Sequence, residues 1–187
     1  MGNLAELSVM QSRALFYDAV MGGKVYGVAA QAGITTQAGL SATTPALTLY
    51  NPAGSGKNLV IWYCGATFTV AFTAAAVVYV ALNTNAAAAA VTGTLSTAHR
   101  NLKAGTAADC VAQPLLAATL PAAPIGISVL GSGLTGAITT VPQIQILERW
   151  YHGSIILTPN TALSIQTSTA SGTTATFCEY IWEETPA

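Results

Sequence analysis

The chain is 187 residues long, with six basic and seven acidic residues and a formal net charge of −1. Charged residues make up 7% of it, against about 25% in ordinary soluble domains. The length suits one domain with one sizeable core, and the scattered cations (Arg13, Lys24, Lys57, Arg100, Lys103 and Arg149) argue against the clustered basic surface that nucleic-acid binding needs. With so few charges, Thr, Ser, Asn, Gln and Gly must carry the hydration, or much of the surface meets other protein, since large homomeric interfaces are depleted in charge.

The start, MGNLAELSVMQSR, has acidic Glu6 and no basic segment before an apolar run, so no signal peptide is expected. Glu6 also stands where a myristoylation motif would carry Ser or Thr. Ser12 is placed to cap a helix over RALFYDAVM, with Leu15, Phe16, Ala19 and Val20 on one face and Gly22-Gly23 as its stop. Residues 1–23 are therefore expected to form an N-terminal arm or helix that docks or swaps, with Leu15 and Phe16 as candidate contacts. Residues 24–187 are expected to form a β-sandwich domain.

From Lys24 onward the chain becomes a series of short apolar runs rich in Val, Ile, Thr and aromatics, bounded by Gly, Pro and Asn. Strands are expected near 25–30, 46–50, 58–64, 67–72 and 75–82. Between the second and third lies NPAGSGKN, which resembles a phosphate-cradling GxxxxGK[ST] loop at Gly56 and Lys57. Asn51 and Asn58 occupy the places of the first glycine and the hydroxyl, and a strand-like run follows where a helix should open. The stretch is expected to be a polar turn. Residues 58–98 contain no charge, enough length for a membrane helix. Gly65, several threonines and the absence of a basic flank favour two strands and a turn.

Residues 83–109, rich in Ala, Thr and Gly, are expected to form a long loop, with a helix as the alternative over the alanine run. Further strands are expected near 111–119, 125–130, 143–150, 153–158, 162–168 and 174–184. In ALSIQTS, Leu163 and Ile165 should point inward and Ser164 and Gln166 outward. In TATFCEYIWEE, Cys178, Tyr180 and Trp182 form the core set, with Phe177, Glu179, Ile181 and Glu183 opposite. Short strands at turn-marked intervals indicate an all-β fold, a β-sandwich of jelly-roll type.

No catalytic signature emerges. His99, His152, Cys64, Cys110 and Cys178 show no metal-ligand spacing, the three cysteines are expected to be buried free thiols, and no metal or cofactor is expected. A nucleophile elbow is absent. Glu148, Glu179, Glu183 and Glu184 could supply a glycosidase carboxylate pair, but their positions fit solvated strand ends better. The cluster RWYHG, with Trp150, Tyr151 and His152, is the candidate for ligand or partner contact because it joins polar tips to large apolar bodies.

The stretch FYDAVMGGKVYGVAAQAGITTQAGLSATTPALTLYNPAGSGKNLVI is similar to the opening of small virion proteins of tailed bacteriophages. The later marks LPAAPI, LTGAITTVP, LTPNTALSIQTSTASGTTATF and the terminal WEE resemble the same group, so the similarity spans about Leu15 to Glu184. Departures at WYCGATFTVAF and Cys110 touch core or interface positions. The resemblance implies a sandwich body and a head-decoration, fibre or tail-associated role. With the composition, it leads to the expectation of a non-enzymatic decoration or cement protein, made in the host cytoplasm. Such a protein would self-associate, as a trimer, and bind the major capsid protein on the virion's outer surface, with no nucleic acid or membrane as partner. The alternative is a tail- or head-fibre module that binds a host glycan.

Overall fold

The computed structural model describes residues 17–69, 72, 74–84, 90–133, 146–171 and 176–187. One short helix, α1 (Tyr17–Met21), precedes eleven strands: β1 (Val25–Ala29), β2 (Thr48–Asn51), β3 (Lys57–Phe68), β4 (Ala76–Asn83), β5 (Thr92–Leu95), β6 (Arg100–Asn101), β7 (Gln113–Thr119), β8 (Ile125–Gly133), β9 (Ile146–Leu157), β10 (Thr161–Thr167) and β11 (Thr176–Pro186). They form two antiparallel sheets, one ordered β6-β1-β11-β3-β9 and the other β5-β7-β2-β10-β4-β8.

The pairing is nested. β1 pairs with β11, β2 with β10, β3 with β9 and β4 with β8, so the chain behaves as one long hairpin wrapped across both sheets. Joining β3 to β11 and β4 to β10 completes two four-stranded layers, β1-β11-β3-β9 and β2-β10-β4-β8. That is the jelly-roll order, and it fulfils the fold expected from the strand pattern. The excursion between β4 and β8 adds β5 and β7 to one layer and β6 to the other.

Strand alternation builds the core. On β11 the inward set is Thr176, Cys178, Tyr180, Trp182 and Glu184, and Trp182 stacks on Tyr26 at 5.8 Å. Leu47, Leu49, Leu59, Ile61, Val78, Val80, Leu157, Leu163 and Ile165 close the layer, each worth about 1.5–3 kcal/mol on full burial. Tyr180 donates its hydroxyl proton to the Leu47 carbonyl at 2.9 Å, so its polar tip is satisfied within the core. Cys64 and Cys178 are buried and Cys110 half-buried, all free thiols.

Three sequence expectations are corrected and one is extended. Ser164 and Gln166 face away from the core as expected, yet they are buried, because the β1–β2 connection lies over that face and Ser41 bonds Gln166 through both its N–H and its carbonyl. The expected strands 58–64 and 67–72 are one strand, β3, running straight through Gly65. The expected strands 143–150 and 153–158 likewise join in β9, which kinks at His152 and Gly153 with φ of 49° and 82° (residues 143–145 lie outside the described residues). The expected loop 83–109 contains β5 and β6, and most of the alanine run lies outside the described residues.

The NPAGSGKN stretch is the β2–β3 turn. Gly54 and Gly56 adopt left-handed φ of 73° and 65°, which a side chain would resist. Fully buried Asn51 ties the turn down. Its Nδ2 donates to the carbonyls of Lys57 and Leu157, and its Oδ1 accepts from the Ser55 hydroxyl. At the N-terminal end, α1 stops at Gly22-Gly23 as expected, with Gly23 at φ 70°, and it buries none of its residues. Among the described residues, no helix is long and apolar enough to cross a membrane.

Candidate functional site

The outer face of the β1-β11-β3-β9 layer gathers the chemistry. Register sets Ala29, Glu179, Gly65 and Glu148 in one row across four strands, with Tyr63 and Trp150 paired in the next row. Tyr63 is buried, and its ring reaches back over Gly65. That places Tyr63 Oη 2.9 Å from Glu148 Oε2 and 2.8 Å from Glu179 Oε1.

Gly65 makes this possible. A Cβ added there would lie 2.7 Å from both Tyr63 Oη and Glu179 Oε1, closer than real contacts permit. A glycine inside a strand commonly marks such close approach. Burial, and then the hydrogen bonds to Glu179 and Glu148, hold the Tyr63 hydroxyl well above its ordinary pKa of 10.0. Tyr63 therefore remains a neutral donor at any physiological pH, between two carboxylates on exposed positions.

The arrangement corrects the reading of the acidic residues as solvated strand ends. Glu184 is buried, and its Oε1 accepts hydrogen bonds from the backbone N–H groups of Val111 and Ala112 at 2.9 and 3.1 Å. It fastens the β6–β7 connection to β11. Glu148 and Glu179, 31 residues apart in sequence, meet at one phenol. Because Tyr63 Oη fills the space between them, no scissile bond fits there in the manner of a glycosidase pair.

The RWYHG cluster is split by strand alternation. Trp150 and His152 are exposed and stack on each other at 5.9 Å and 18°, while Trp150 also tilts against Tyr63 at 4.9 Å. Tyr151 turns the other way, half-buried against the core, and burial raises its pKa. Arg149 reaches sideways to donate to Ser128 Oγ at 2.6 Å, linking the neighbouring edges of the two sheets. Leu15 and Phe16 lie outside the described residues.

Beside the carboxylate row is a pocket of about 220 Å³, bordered by Ala29, Gly65, Thr67, Phe177 and Glu179. Tyr63 reads in the sequence only as one of several aromatics open to packing or sugar stacking, and Gly65 only as a break; their role in organising the site was hidden because only the strand register brings them to Glu148 and Glu179. The one available signal was a glycine within an otherwise β-branched and aromatic run. Among the described residues no group of three or more His, Cys, Asp or Glu is placed to hold a metal ion. Compared with known protein families, curated proteins and solved structures, the chain matches none.

Proposed function

We propose that the chain is a non-enzymatic virion structural protein, a decoration or cement subunit that self-associates and adds binding energy across neighbouring capsid subunits. The observation that carries the self-association is an asymmetry between the two sides of the sandwich. On one side the sheets end in β5 and β6, strands of four and two residues. Short edge strands of this kind guard against unwanted pairing. On the other side they end in β8 and β9, of nine and twelve residues. β8 carries no charge and no proline, and it exposes Ile125 (72%), Ile127 and Val129.

A long, uncharged apolar edge is a template for pairing with another chain. The sparse charge and the resemblance to phage virion proteins supply the virion setting, a trimer suits a capsid three-fold position, and an N-terminal arm over residues 1–23 supplies a means of docking on the major capsid protein. The test has two stages. Sedimentation of the intact chain should show an oligomer that Ile127→Lys dissolves, and the intact chain added to undecorated heads should raise their rupture temperature. A monomer at micromolar concentration, or an unchanged rupture threshold, would defeat the reading.

A second reading, a tail- or head-fibre module that binds a host glycan, is favoured by the exposed Trp150–His152 stack.

A further inference from the structure

The free edge of β8 is apolar but not regular. Opposite β4, Val78 pairs with Gly131 and Tyr79 with Val129, then Val80 with Ser128 and Ala81 with Gly126, so Leu130 and Ile127 are extra residues on β8. Each makes a bulge, which bends the strand and interrupts its ladder. A second β8 would have to match this edge bulge for bulge. It would also close a two-fold pair at two copies, short of a trimer. What the edge offers a neighbour is its exposed side chains, Ile125, Ile127 and Val129, on a strand without charge.

The chain enters the described residues on the opposite side of the sandwich. α1 buries none of its residues, and Tyr17 and Met21 are exposed. Lys103 Nζ donates to the Met21 carbonyl at 2.8 Å and Asn101 Nδ2 to the Gly23 carbonyl at 2.7 Å, which fixes α1 beside β6. β6 ends its sheet on the side away from β8. Sixteen residues precede Tyr17, and within them Leu7-Ser8-Val9-Met10-Gln11-Ser12 is an uncharged run that begins after Glu6 and stops before Arg13.

We infer that residues 1–16 of one copy lie along β8 of the next, with Leu7, Val9 and Met10 against Ile125, Ile127 and Val129. This contact rests on the self-association proposed above and names the two surfaces that meet. Length permits it: sixteen extended residues reach about 50 Å, whereas the five strands from β6 to β9 span about 20 Å. Charge permits it as well. A charged segment would bury ions against the apolar row, but the uncharged run, about 20 Å when extended, is long enough to cover Ile125 to Val129 and leaves Glu6 and Arg13 beyond its ends. Donor and acceptor stand on opposite sides of the sandwich, so the contact is head to tail. Contacts of that kind close into rings, as the proposed trimer requires.

Sedimentation of full-length variants tests the contact. Leu7→Lys combined with Val9→Lys removes the donor, and Ile127→Lys removes the acceptor. Each variant alone should sediment as a monomer at a micromolar concentration where the parent chain is an oligomer, with the parent's circular dichroism. Mixed one to one, the two should form a heterodimer that grows no further, because one chain keeps its β8 intact and the other its arm. An arm variant that still forms the parent's oligomer would overturn the contact and leave self-association standing, with β8 paired to β8. A mixture that stays monomeric would overturn it too. Loss of binding to undecorated heads by an arm variant whose oligomer is intact would assign the arm to the capsid protein instead. A parent chain that is itself monomeric would defeat the self-association reading, and this contact with it.

Discussion

Replacing Asn51 with alanine is the sharpest test of how the β2–β3 turn is held. The side chain is fully buried, and its amide donates to Lys57 O at 2.8 Å and Leu157 O at 2.9 Å while accepting from Ser55 Oγ at 2.7 Å. Each buried carbonyl left without its donor costs about 1–3 kcal/mol. Lys57 O retains a longer bond from Ser55 Oγ at 3.2 Å, so its loss falls at the low end. The expected destabilisation is about 2–4 kcal/mol, read as a lower urea midpoint with an unchanged slope. Asn51→Asp should be worse than Asn51→Ala despite its closer shape, because a carboxylate would face two carbonyl oxygens in a buried site. A loss below about 0.5 kcal/mol for the alanine variant, or a milder effect for the aspartate, would refute the staple.

Three further outcomes are expected. Glu184→Ala should cost about 2–4 kcal/mol because it leaves the N–H groups of Val111 and Ala112 buried without an acceptor, whereas Glu184→Gln, which keeps the oxygen, should cost about 1 kcal/mol or less; equilibrium denaturation checks both. Gly65→Ala should cost about 1–3 kcal/mol through its collision with Tyr63 Oη and Glu179, and about 1 kcal/mol less in a Tyr63→Phe background, a coupling that a double-mutant cycle measures. Stability should fall as pH rises above 9.0. Burial holds the Cys110 thiol up to about 12 and the Tyr26 phenol up to about 12, so the unfolded chain ionises first and binds fewer protons than the folded one, and denaturation midpoints between pH 8 and pH 11 should decrease steadily.

Much of the fold was legible because period-two alternation survives wherever one face of a strand is covered. The terminal strand shows this best: Cys178, Tyr180 and Trp182 are the core set that the spacing predicts. The turn at Asn51–Lys57 was legible from its glycines and from the strand-like run after it. What the sequence concealed were positions where a third layer covers a strand's outer face. Ser164 and Gln166 read as solvent-facing because nothing local announces that residues 36–41 will lie above them. Glycines misled in the opposite direction. Gly65 looked like a break but makes room for a tyrosine, and the gap expected between residues 150 and 153 is a kink at His152 and Gly153 within a continuous strand. The site was hidden for a related reason, since the meeting of Glu148 and Glu179 depends on the register of three strands that no local pattern specifies.

The distribution of charge joins the assembly and glycan readings. Only seven acidic residues exist in the chain, and three of them, Glu148, Glu179 and Glu183, stand on the outer face of one sheet. The free edge of β8 carries none. A chain with charge to spare would spread it over every surface and protect its edges, as soluble β proteins do. Here the acidic groups are gathered on a face and withheld from the β8 edge. Pairing between copies along an edge extends a sheet in its own plane and leaves both of its faces uncovered. Pairing along the β8 edge would therefore leave Trp150, His152 and Glu179 open on every subunit. Assembly and glycan contact through the Trp150–His152 stack then make no competing demand on the same surface, and an oligomer would present several such stacks at once, raising its avidity for a polymeric saccharide above that of any single one.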